Sequence, residues 1–494
     1  MFFRRTRRPA GPVLRAPARL ATPAGARPAF LGAPTYAAAA PQRGGGDLDR
    51  FMADLERRNP NEPAFHQAVR EAMRDVFAYA ADHAAYNDPD LFARLVEPDR
   101  VLQFRVAWTD DAGRTRQTRA WRVQFTNALG PYKGGLRFVP DLQPSVLKFL
   151  GFEQGFKNAL TGLPLGGAKG GAAFDPAAAS AGETMRFCQA LMIELHNYIG
   201  PYKDVPAGDI GVGAREIGWL YGAYKRIVGE ADGALTGKGA SFGGAALRPQ
   251  ATGYGLVMFV ERMAERMGEG LGGVRVVISG SGAVALYAAE RAIAHGARVL
   301  TLSDRSGVLY AEDGLDADAL ATIASIKARR GASLAEAAQR LRRATFRTGA
   351  APWGASFSGP CDIALPCATQ NELDADGAKA LVKGGVRIVA EGANMPTTPD
   401  AVEILRQGGV AFAPGKAANA GGVAVSGFEM AQNAAHAAPD AAADEARLQA
   451  TMDAIFERCA AYGETARGGV DLAKGANVAG FARLADAIRA QGAV

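Results

Sequence analysis

Hydrophobic positions recur with a helical period at the start of the folded chain and with an alternating period soon afterwards. Between about residues 47 and 90, Phe51, Leu55, Met73 and Phe77 have the spacing of one helix face, which predicts one or two amphipathic helices. The segments VLQFRVAWTD and RAWRVQFTN then alternate around a DDAGR turn. This alternation predicts a β-hairpin.

Two segments rich in glycine and proline interrupt the next helical patterns. Pro144 is predicted to begin a helix through SVLKFLGFEQGFKNAL, because proline is favoured in the first helical turn. TGLPLGGAKGGAAF follows this helix, and PYKDVPAGDIGVG follows a second helix, ETMRFCQALMIELHNYI. Their composition predicts loops, where chemically active side chains are often found.

A second α/β unit begins after the flexible-looking GKGASFGGAALRPQ. VRVVISG, SGAVALYAAERAIAHG and ARVLTLSD follow one another as strand, helix and strand, and CDIALPCA, VRIVAEGAN and VAFAPGKAANAGG predict further parallel strands. We therefore expect an α/β protein with a cleft between two domains. Residues 47–245 would form an α/β substrate-binding and oligomerisation domain, with the helices of 425–494 packed back on it, and 246–424 a Rossmann-like dinucleotide-binding domain.

Length and charge narrow the possible partners. A chain of 494 residues is long enough for two cores, and no apolar run approaches the roughly 18 residues that a membrane span needs. The formal charge is +6, but residues 1–46 hold eight arginines and no acid, so the remainder is close to neutral. Neither a membrane nor a nucleic acid is expected as a partner.

The basic N-terminal segment predicts targeting to an organelle. Residues 1–46 are rich in arginine, alanine and glycine and contain no acid, which is typical of a disordered transit peptide. A mitochondrial destination is favoured over a plastid, because the segment has no serine. The alternative is a basic tail without targeting function, in which case the protein is expected in the cytoplasm.

A dinucleotide fingerprint lies between the first strand and helix of the second unit. The GxGxxA pattern is formed by Gly280, Ser281, Gly282, Ala283, Val284 and Ala285. Small residues there allow the backbone to approach a pyrophosphate at a helix N-terminus, although many such turns are only tight turns. Asp304 ends the next strand, where an acidic residue normally meets the adenosine ribose.

The residues after Asp304 bear on the choice of cofactor. Arg305 and Ser306 offer a guanidinium and a hydroxyl that suit a 2′-phosphate, which favours NADP over NAD. A solvated surface arginine is the alternative for Arg305. No metal is expected, because Cys361 and Cys367 have no histidine nearby.

Three lysines occupy unusual surroundings in the first domain. Lys133 in PYKGGLRF and Lys169 in GGAKGG stand beside glycine pairs, and Lys157 follows Gln154 by three positions on one helical face. Clustered cations suit a dicarboxylate, although each lysine alone is more often an ordinary surface residue. Crowding and desolvation lower a lysine pKa, so Lys169 is a candidate for proton transfer, with Asp209 as its carboxylate partner.

The long motifs together resemble a known family. PYKGGLRF, KFLGFEQGFKNAL, LPLGGAKGG, DVPAGDIGVG, RPQATGYG, AEGANMPTT and APGKAANAGGVAVSGFEMAQN are similar to the hexameric, NADP-dependent glutamate dehydrogenases of bacteria and lower eukaryotes. The resemblance extends from about residue 50 to the end of the chain. It implies a homo-hexamer that interconverts 2-oxoglutarate plus ammonia with L-glutamate.

The resemblance also implies residue roles. Lys169 would polarise the 2-oxo group and Asp209 would exchange protons with ammonia or the carbinolamine. The 2-carboxylate would be held by Lys157 and Gln154 near the backbone of Gly208, and the side-chain carboxylate by Lys133 and Ser426. The cofactor would face Thr252, Asn394, Asn419 and the 280–285 turn, where Ala283 replaces the family's usual asparagine.

Two alternatives are kept open. A dehydrogenase of leucine, valine or phenylalanine would share the cleft but would leave the Lys133 ammonium unpaired against an apolar side chain. A catalytically silent member of the same fold is disfavoured by the presence of both Lys169 and Asp209.

Overall fold

Two mixed β-sheets, each covered by helices on both faces, form the described part of the chain. The computed structural model describes residues 45–329, 331–353, 360–465 and 468–492. The predicted transit peptide therefore lies outside the described residues, apart from Gly45 and Gly46 at the start of the first helix. The two-domain α/β fold expected from the sequence is confirmed.

The helices begin and end as follows: α1 (Gly45–Arg58), α2 (Pro63–Asp82), α3 (Pro89–Val96), α4 (Pro144–Thr161), α5 (Ala181–Leu195), α6 (Ala214–Val228), α7 (Ala251–Arg266), α8 (Ala283–Ala294), α9 (Ala317–Lys327), α10 (Leu334–Arg340), α11 (Ala375–Lys383), α12 (Pro399–Gln407), α13 (Gly415–Ala418), α14 (Gly421–Ala434), α15 (Ala441–Gly463) and α16 (Leu472–Gln491). The strands are β1 (Arg100–Thr109), β2 (Thr115–Thr126), β3 (Tyr132–Val139), β4 (Gly167–Ala173), β5 (Asp204–Gly208), β6 (Arg275–Ile278), β7 (Arg298–Asp304), β8 (Gly307–Tyr310), β9 (Thr345–Thr348), β10 (Ile363–Leu365), β11 (Ile388–Ala390) and β12 (Ala411–Ala413).

The first sheet has the strand order β1-β2-β4-β3-β5. The predicted hairpin is confirmed as the antiparallel pair β1 and β2, and β3 runs parallel to both β4 and β5. One face packs against α2, α4 and α16 through an aromatic core that includes Phe65, Phe125 and Phe152. The opposite face packs against α5 and α6, where Phe174 and Phe187 stack at 3.9 Å between ring centroids.

The second sheet has the order β12-β11-β10-β6-β7-β8-β9. The strands from β12 to β7 run parallel, as the βαβ pattern predicts, and β8 and β9 extend the edge antiparallel. Helix α7 packs with α8 and with α15 in the larger core of this half. Of the C-terminal helices, α16 packs on α2 and α4 of the first domain, whereas α15 lies between α16 and α7.

The two segments predicted to be loops contain strands, an internal one at Gly167–Ala173 and an edge strand at Asp204–Gly208, so that prediction is wrong for these residues. Glycine is used here for close packing. A Cβ atom at Gly167 would lie 2.7 Å from the Cα of Gly155 in α4, so the helix can approach this strand only because both residues lack side chains.

No helix of the described residues has both the length and the apolar character needed to cross a bilayer.

Candidate active site

Two of the three lysines project from the same face of the first sheet. Leu136 of β3 pairs with Gly170 of β4 in a parallel register. Side chains alternate along a strand, so Lys133 and Lys169, each an odd number of residues from this pair, lie on one face. Both are buried, with 1% and 3% of their surface exposed. The structure thus brings these two cations to one buried surface.

Lys169 forms the centre of a buried charge cluster with Asp209. The Lys169 ammonium donates to Asp209 Oδ1 at 2.9 Å, and Arg137 Nε donates to Asp209 Oδ2 at 2.6 Å. Burial alone raises the pKa of the Asp209 carboxyl, but the two cations outweigh burial and hold its pKa well below the ordinary value. Burial also lowers the pKa of Lys169, against the opposing charge of Asp209.

Lys157 reaches the same cluster from α4. Its ammonium donates to Asn394 Oδ1 at 2.8 Å, a contact that joins α4 to the loop after β11 of the second domain. Burial, followed by repulsion from Lys169, lowers the pKa of Lys157 to about 8. Gln154 lies one turn earlier, where its amide donates to Asn158 Oδ1 at 2.7 Å.

Gly208 ends β5, and Asp209 follows it directly. Gly208 pairs with Leu136 of β3, which sets the β5 terminus beside the strand that carries Lys133. A Cβ at Gly135 would lie 2.9 Å from the Cβ of Asp209, so this glycine, two residues after Lys133, makes room for the aspartate.

The other end of the cleft contains Lys133, Ser426 and the half-buried Arg248. Lys133 donates to Thr236 Oγ1 at 2.8 Å, and Ser426 of α14 is buried. Burial, then repulsion by Arg248, lowers the pKa of Lys133 well below its ordinary value. Arg248 is half-buried, and its Nε is buried without a hydrogen-bond partner among the described residues, so this nitrogen is available to an anion.

The fingerprint residues border a cavity of about 720 Å³ in the second domain. Gly280 has φ +84°, and a Cβ there would lie 2.9 Å from the carbonyl oxygen of Cys367. Gly282 precedes the first turn of α8, and a Cβ there would meet no atom within 4 Å, so its backbone faces open space. Ala283 and Val284 form the first turn of that helix. This arrangement fits the pyrophosphate of a dinucleotide.

Asp304 lines this cavity, but its oxygens are occupied by protein donors. Oδ1 accepts from the backbone N–H of Ser306 at 2.9 Å, and Oδ2 accepts from Lys327 Nζ at 3.0 Å and from Leu334 N–H at 2.9 Å. Arg305 is exposed and lines the same cavity. The aspartate fixes the surrounding loops, while the neighbouring arginine faces the open volume.

Thr252, Asn394 and Asn419 meet where the two domains join. Asn419 Nδ2 donates to the carbonyl of Ala393 at 2.9 Å and to Asn394 Oδ1 at 3.2 Å. Asn419 Oδ1 is buried without a partner among the described residues and is available to a ligand. Thr252 lies in the first turn of α7, with its hydroxyl against Gly422 of α14.

Sequence reasoning missed Arg137, Arg248 and a buried ion pair of Lys238 with Glu429. The Lys238 ammonium donates to Glu429 Oε1 at 2.7 Å, which ties the segment after β5 to α14. Arg137 could have been found from its motif, since PYKGGLRF places it at an even spacing from Lys133 on a strand. Nothing local distinguishes Arg248 or Lys238 from surface cations.

Comparison with known proteins identifies the family. Residues 98–226 match the model described as the Glu/Leu/Phe/Val dehydrogenase dimerisation domain, and residues 243–492 match the Glutamate/Leucine/Phenylalanine/Valine dehydrogenase model. The chain belongs to this dehydrogenase family. The oxidoreductase class and the family resemblance predicted from the sequence are thereby confirmed.

Relatives of this dehydrogenase differ in cofactor and assembly. An NADP-specific glutamate dehydrogenase of Salmonella typhimurium is 52% identical over 90% of this chain and 99% of its own length. An NAD-specific glutamate dehydrogenase of Bacteroides fragilis is 44% identical over 91% and 100%. The Plasmodium falciparum glutamate dehydrogenase structure has a TM-score of 0.86 at 43% identity over 91% and 95%. A hetero-hexameric glutamate dehydrogenase of Thermus thermophilus has a TM-score of 0.78 at 28% identity over 88% and 99%.

These comparisons correct the predicted location. The NADP-specific glutamate dehydrogenases of Salmonella and Escherichia coli, both 52% identical to this chain, come from bacteria, which have no mitochondria or plastids. The organellar prediction for this dehydrogenase was wrong. An arginine-rich, acid-free segment was its sole support, and that composition is not specific to transit peptides.

Proposed function

We propose that this chain catalyses the reversible, NADP-linked reductive amination of 2-oxoglutarate with ammonia to L-glutamate. The observation that carries the proposal is the buried Lys169–Asp209 pair, 2.9 Å apart, with Lys157 and Lys133 in the same cleft. A buried surface with several cations around one reactive pair suits a small dicarboxylate that carries an oxo group.

The cations divide between the two ends of such a substrate. Lys157 and Gln154, with the backbone of Gly208, hold the 2-carboxylate. Lys133 and Ser426 hold the side-chain carboxylate, and the unpartnered Arg248 strengthens that end. An apolar side chain at this end would leave buried cations without an anion, which disfavours leucine, valine or phenylalanine as substrate.

Lys169 and Asp209 carry out the proton transfers of the reaction. The Lys169 ammonium donates to the 2-oxo oxygen and polarises the carbonyl for attack by ammonia. While Lys169 and Arg137 both bind Asp209, the carboxylate is a weak base, because its pKa is held low. Engagement of Lys169 by the substrate removes one of these cations and makes Asp209 basic enough to accept a proton from the attacking nitrogen.

The cofactor is proposed to be NADP, whose reduced form, NADPH, would supply the hydride for amination and whose oxidised form would accept it in the reverse direction. Gly280, Ser281, Gly282, Ala283 and Val284 receive the pyrophosphate, and Thr252, Asn394 and Asn419 line the side towards the substrate. Asp304 has little acceptor capacity left for a ribose hydroxyl, as NAD would require, whereas Arg305 is free to meet a 2′-phosphate.

The domain boundaries and the oligomeric state are part of the same proposal. We assign residues 47–245 and 246–424 to the two domains and residues 425–494 to the helices that return to the first. A homo-hexamer is proposed, supported by the match to a dimerisation domain and by apolar side chains exposed on the single chain.

The test compares turnover of NADPH, 2-oxoglutarate and ammonia by the wild type and Lys169→Ala. The variant should lose about 10²–10⁴-fold in kcat, the usual contribution of a positioned proton donor. Lys148→Ala is the matched control, because Lys148 is also buried but contacts Asn59 and Glu62 outside the cleft. Equal rates for the wild type and Lys169→Ala would refute the catalytic assignment.

A further inference from the structure

A second cavity lies next to the cleft, between α4 and the second domain. It has a volume of about 250 Å³ and is lined by α2 and α4 of the first domain, the segment between β11 and α13 of the second, and α16. A water molecule occupies about 30 Å³ in the liquid. The cavity is therefore suited to a small ion with a few waters, and it is smaller than typical metabolite sites.

The charges lining this cavity do not balance. Each basic side chain in its described lining has a carboxylate within 4 Å: Lys416 with Glu153 at 3.0 Å, Arg406 with Glu403 at 3.2 Å, and Arg74 with Asp75 at 3.5 Å. Glu71 and Glu391 are left, and neither has a cation within 4 Å among the described residues. Two carboxyl groups without a cation within 4 Å therefore line one cavity.

A buried hydroxyl lies beside one of these carboxyl groups. Thr397 lines the cavity with 6% of its surface exposed, and its hydroxyl lowers the pKa of the adjacent Glu391 carboxyl. Glu391 also accepts from the backbone amides of Gly415 at 2.7 Å and Thr397 at 3.3 Å. Two carboxylates and a hydroxyl acceptor around a small volume form a site for a monovalent cation that donates hydrogen bonds.

One residue separates this volume from the catalytic cluster. Asn394 lines the cavity, and its Oδ1 accepts from Lys157 Nζ at 2.8 Å. The wall between the two compartments is therefore one side chain thick at this point. An ammonium ion would be repelled by Lys157 and Lys169, whereas neutral ammonia would not.

We propose that this cavity binds the ammonium ion consumed in the reaction, that Glu391 deprotonates it, and that ammonia enters the cleft past Asn394. The proposal rests on the proposed function. In the step, an N–H bond of ammonium breaks, its electron pair stays on nitrogen, and the proton forms an O–H bond with the Glu391 carboxylate. The protonated Glu391 then returns its proton to water, so that no oxidant, reductant or further reactant is needed.

The position of Glu391 supports this role. Burial raises the pKa of Glu391 to about 7, although hydrogen bonds from the Gly415 amide and from the side chain and amide of Thr397 oppose the rise. A carboxyl group with this pKa can both accept and release a proton near neutral pH.

Binding is tested on the full-length enzyme without substrates. Thermal unfolding is measured in ammonium chloride, potassium chloride and sodium chloride at equal ionic strength. Ammonium should stabilise the wild type more than either alkali cation, and Glu391→Gln and Thr397→Val should lose this difference. Glu403→Gln is the matched control and should keep it, because Glu403 lines the same cavity but is paired with Arg406. Equal stabilisation by potassium, or none by ammonium, would overturn the ammonium site.

Kinetics test the delivery step. Glu391→Gln should raise KM for ammonium about tenfold at pH 8, while KM for 2-oxoglutarate and NADPH changes less than about twofold. At pH 6 Glu391 is protonated in the wild type, so the difference between variant and wild type should disappear. Parallel rises in KM for ammonium and for 2-oxoglutarate would contradict the step. So would a ratio of variant to wild-type KM for ammonium that does not depend on pH. A wild type without 2-oxoglutarate turnover would refute the proposed function instead, and the unfolding measurement would still decide the binding site.

Discussion

At the scale of single residues, the charges of the lysines in the site depend on pH, because burial lowers their pKa values. Lys133, Lys157 and Lys169 all have lowered pKa values because water is excluded from their ammonium groups. A bound dicarboxylate would supply negative charge next to these ammonium groups. The free site is therefore prepared for anions at neutral pH and loses this property as the pH rises.

The titration of Lys157 should be visible in the pH profile of kcat/KM. Its pKa of about 8 lies below the ordinary lysine value, so the group is charged below pH 8 and becomes neutral above it. Only the charged form attracts a carboxylate, so kcat/KM for 2-oxoglutarate should fall as the pH rises through about 8. In Lys157→Met that step should be absent from the pH profile. An unchanged step in the variant would assign the pKa to another group.

Arg305 provides the residue-scale test of cofactor choice. Arg305→Ala should raise KM for NADPH about 10–100-fold, the usual value of a hydrogen bond to a charged group, and should leave KM for NADH nearly unchanged. Arg342→Ala, which removes an exposed arginine outside the described cavity lining, is the control. Equal effects of Arg305→Ala on both cofactors would show that the arginine does not meet the 2′-phosphate.

Sequence reasoning proposed Lys169 and Asp209 but missed Arg137 and Arg248. The first two stand in glycine-rich motifs, where a charged residue is conspicuous. Arg248 is shielded from water only because α14 and Lys133 approach it from distant parts of the chain. Burial of a side chain by segments far away in sequence cannot be deduced from its neighbours.

At the scale of elements, regular alternation and capping were predictable, but glycine-rich strands were not. The hairpin of β1 and β2 and the helix opened by Pro144 follow their sequence patterns closely. Strand β4 has the composition of a loop, yet it lies between β2 and β3. Glycine is tolerated there because pairing on both edges compensates for its lost conformational freedom, and because α4 packs directly on the backbone.

Gly167 tests this account of β4. Gly167→Ala places a methyl group against the α4 backbone at Gly155, so it should lower the free energy of unfolding by about 1–3 kcal/mol. Gly222→Ala is the matched control, because a Cβ at that position of α6 meets nothing within 4 Å and should be neutral or stabilising. Chemical denaturation of both variants makes the comparison, and equal stabilities would contradict tight packing at Gly167.

At the scale of the whole molecule, three large apolar side chains are well exposed on the single chain. Ile193, Tyr202 and Ile210 are 60%, 83% and 55% exposed, and all lie within the segment that matches the dimerisation domain. The proposed hexamer predicts that copies of the chain meet at these side chains.

Sedimentation of the purified protein tests the assembly. The wild type should have about six times the mass of one 51.5 kDa chain, and a double variant, Ile193→Asp with Tyr202→Asp, should shift to smaller species. Tyr462→Ser is the control, because Tyr462 is exposed outside that segment and should leave the mass unchanged. A double variant of full size would exclude this surface as an interface.

The sequence by itself determined the class of the fold, the family and the residues that stand in distinctive motifs. Periodicity and turn chemistry are local properties, and long motifs in a fixed order identify a family. Only the tertiary structure decided that β4 and β5 are strands, that Asp304 is occupied by Lys327 and Leu334, and that Glu391 faces an enclosed volume. Burial and hydrogen-bond satisfaction depend on which distant segments meet, and no local pattern records that.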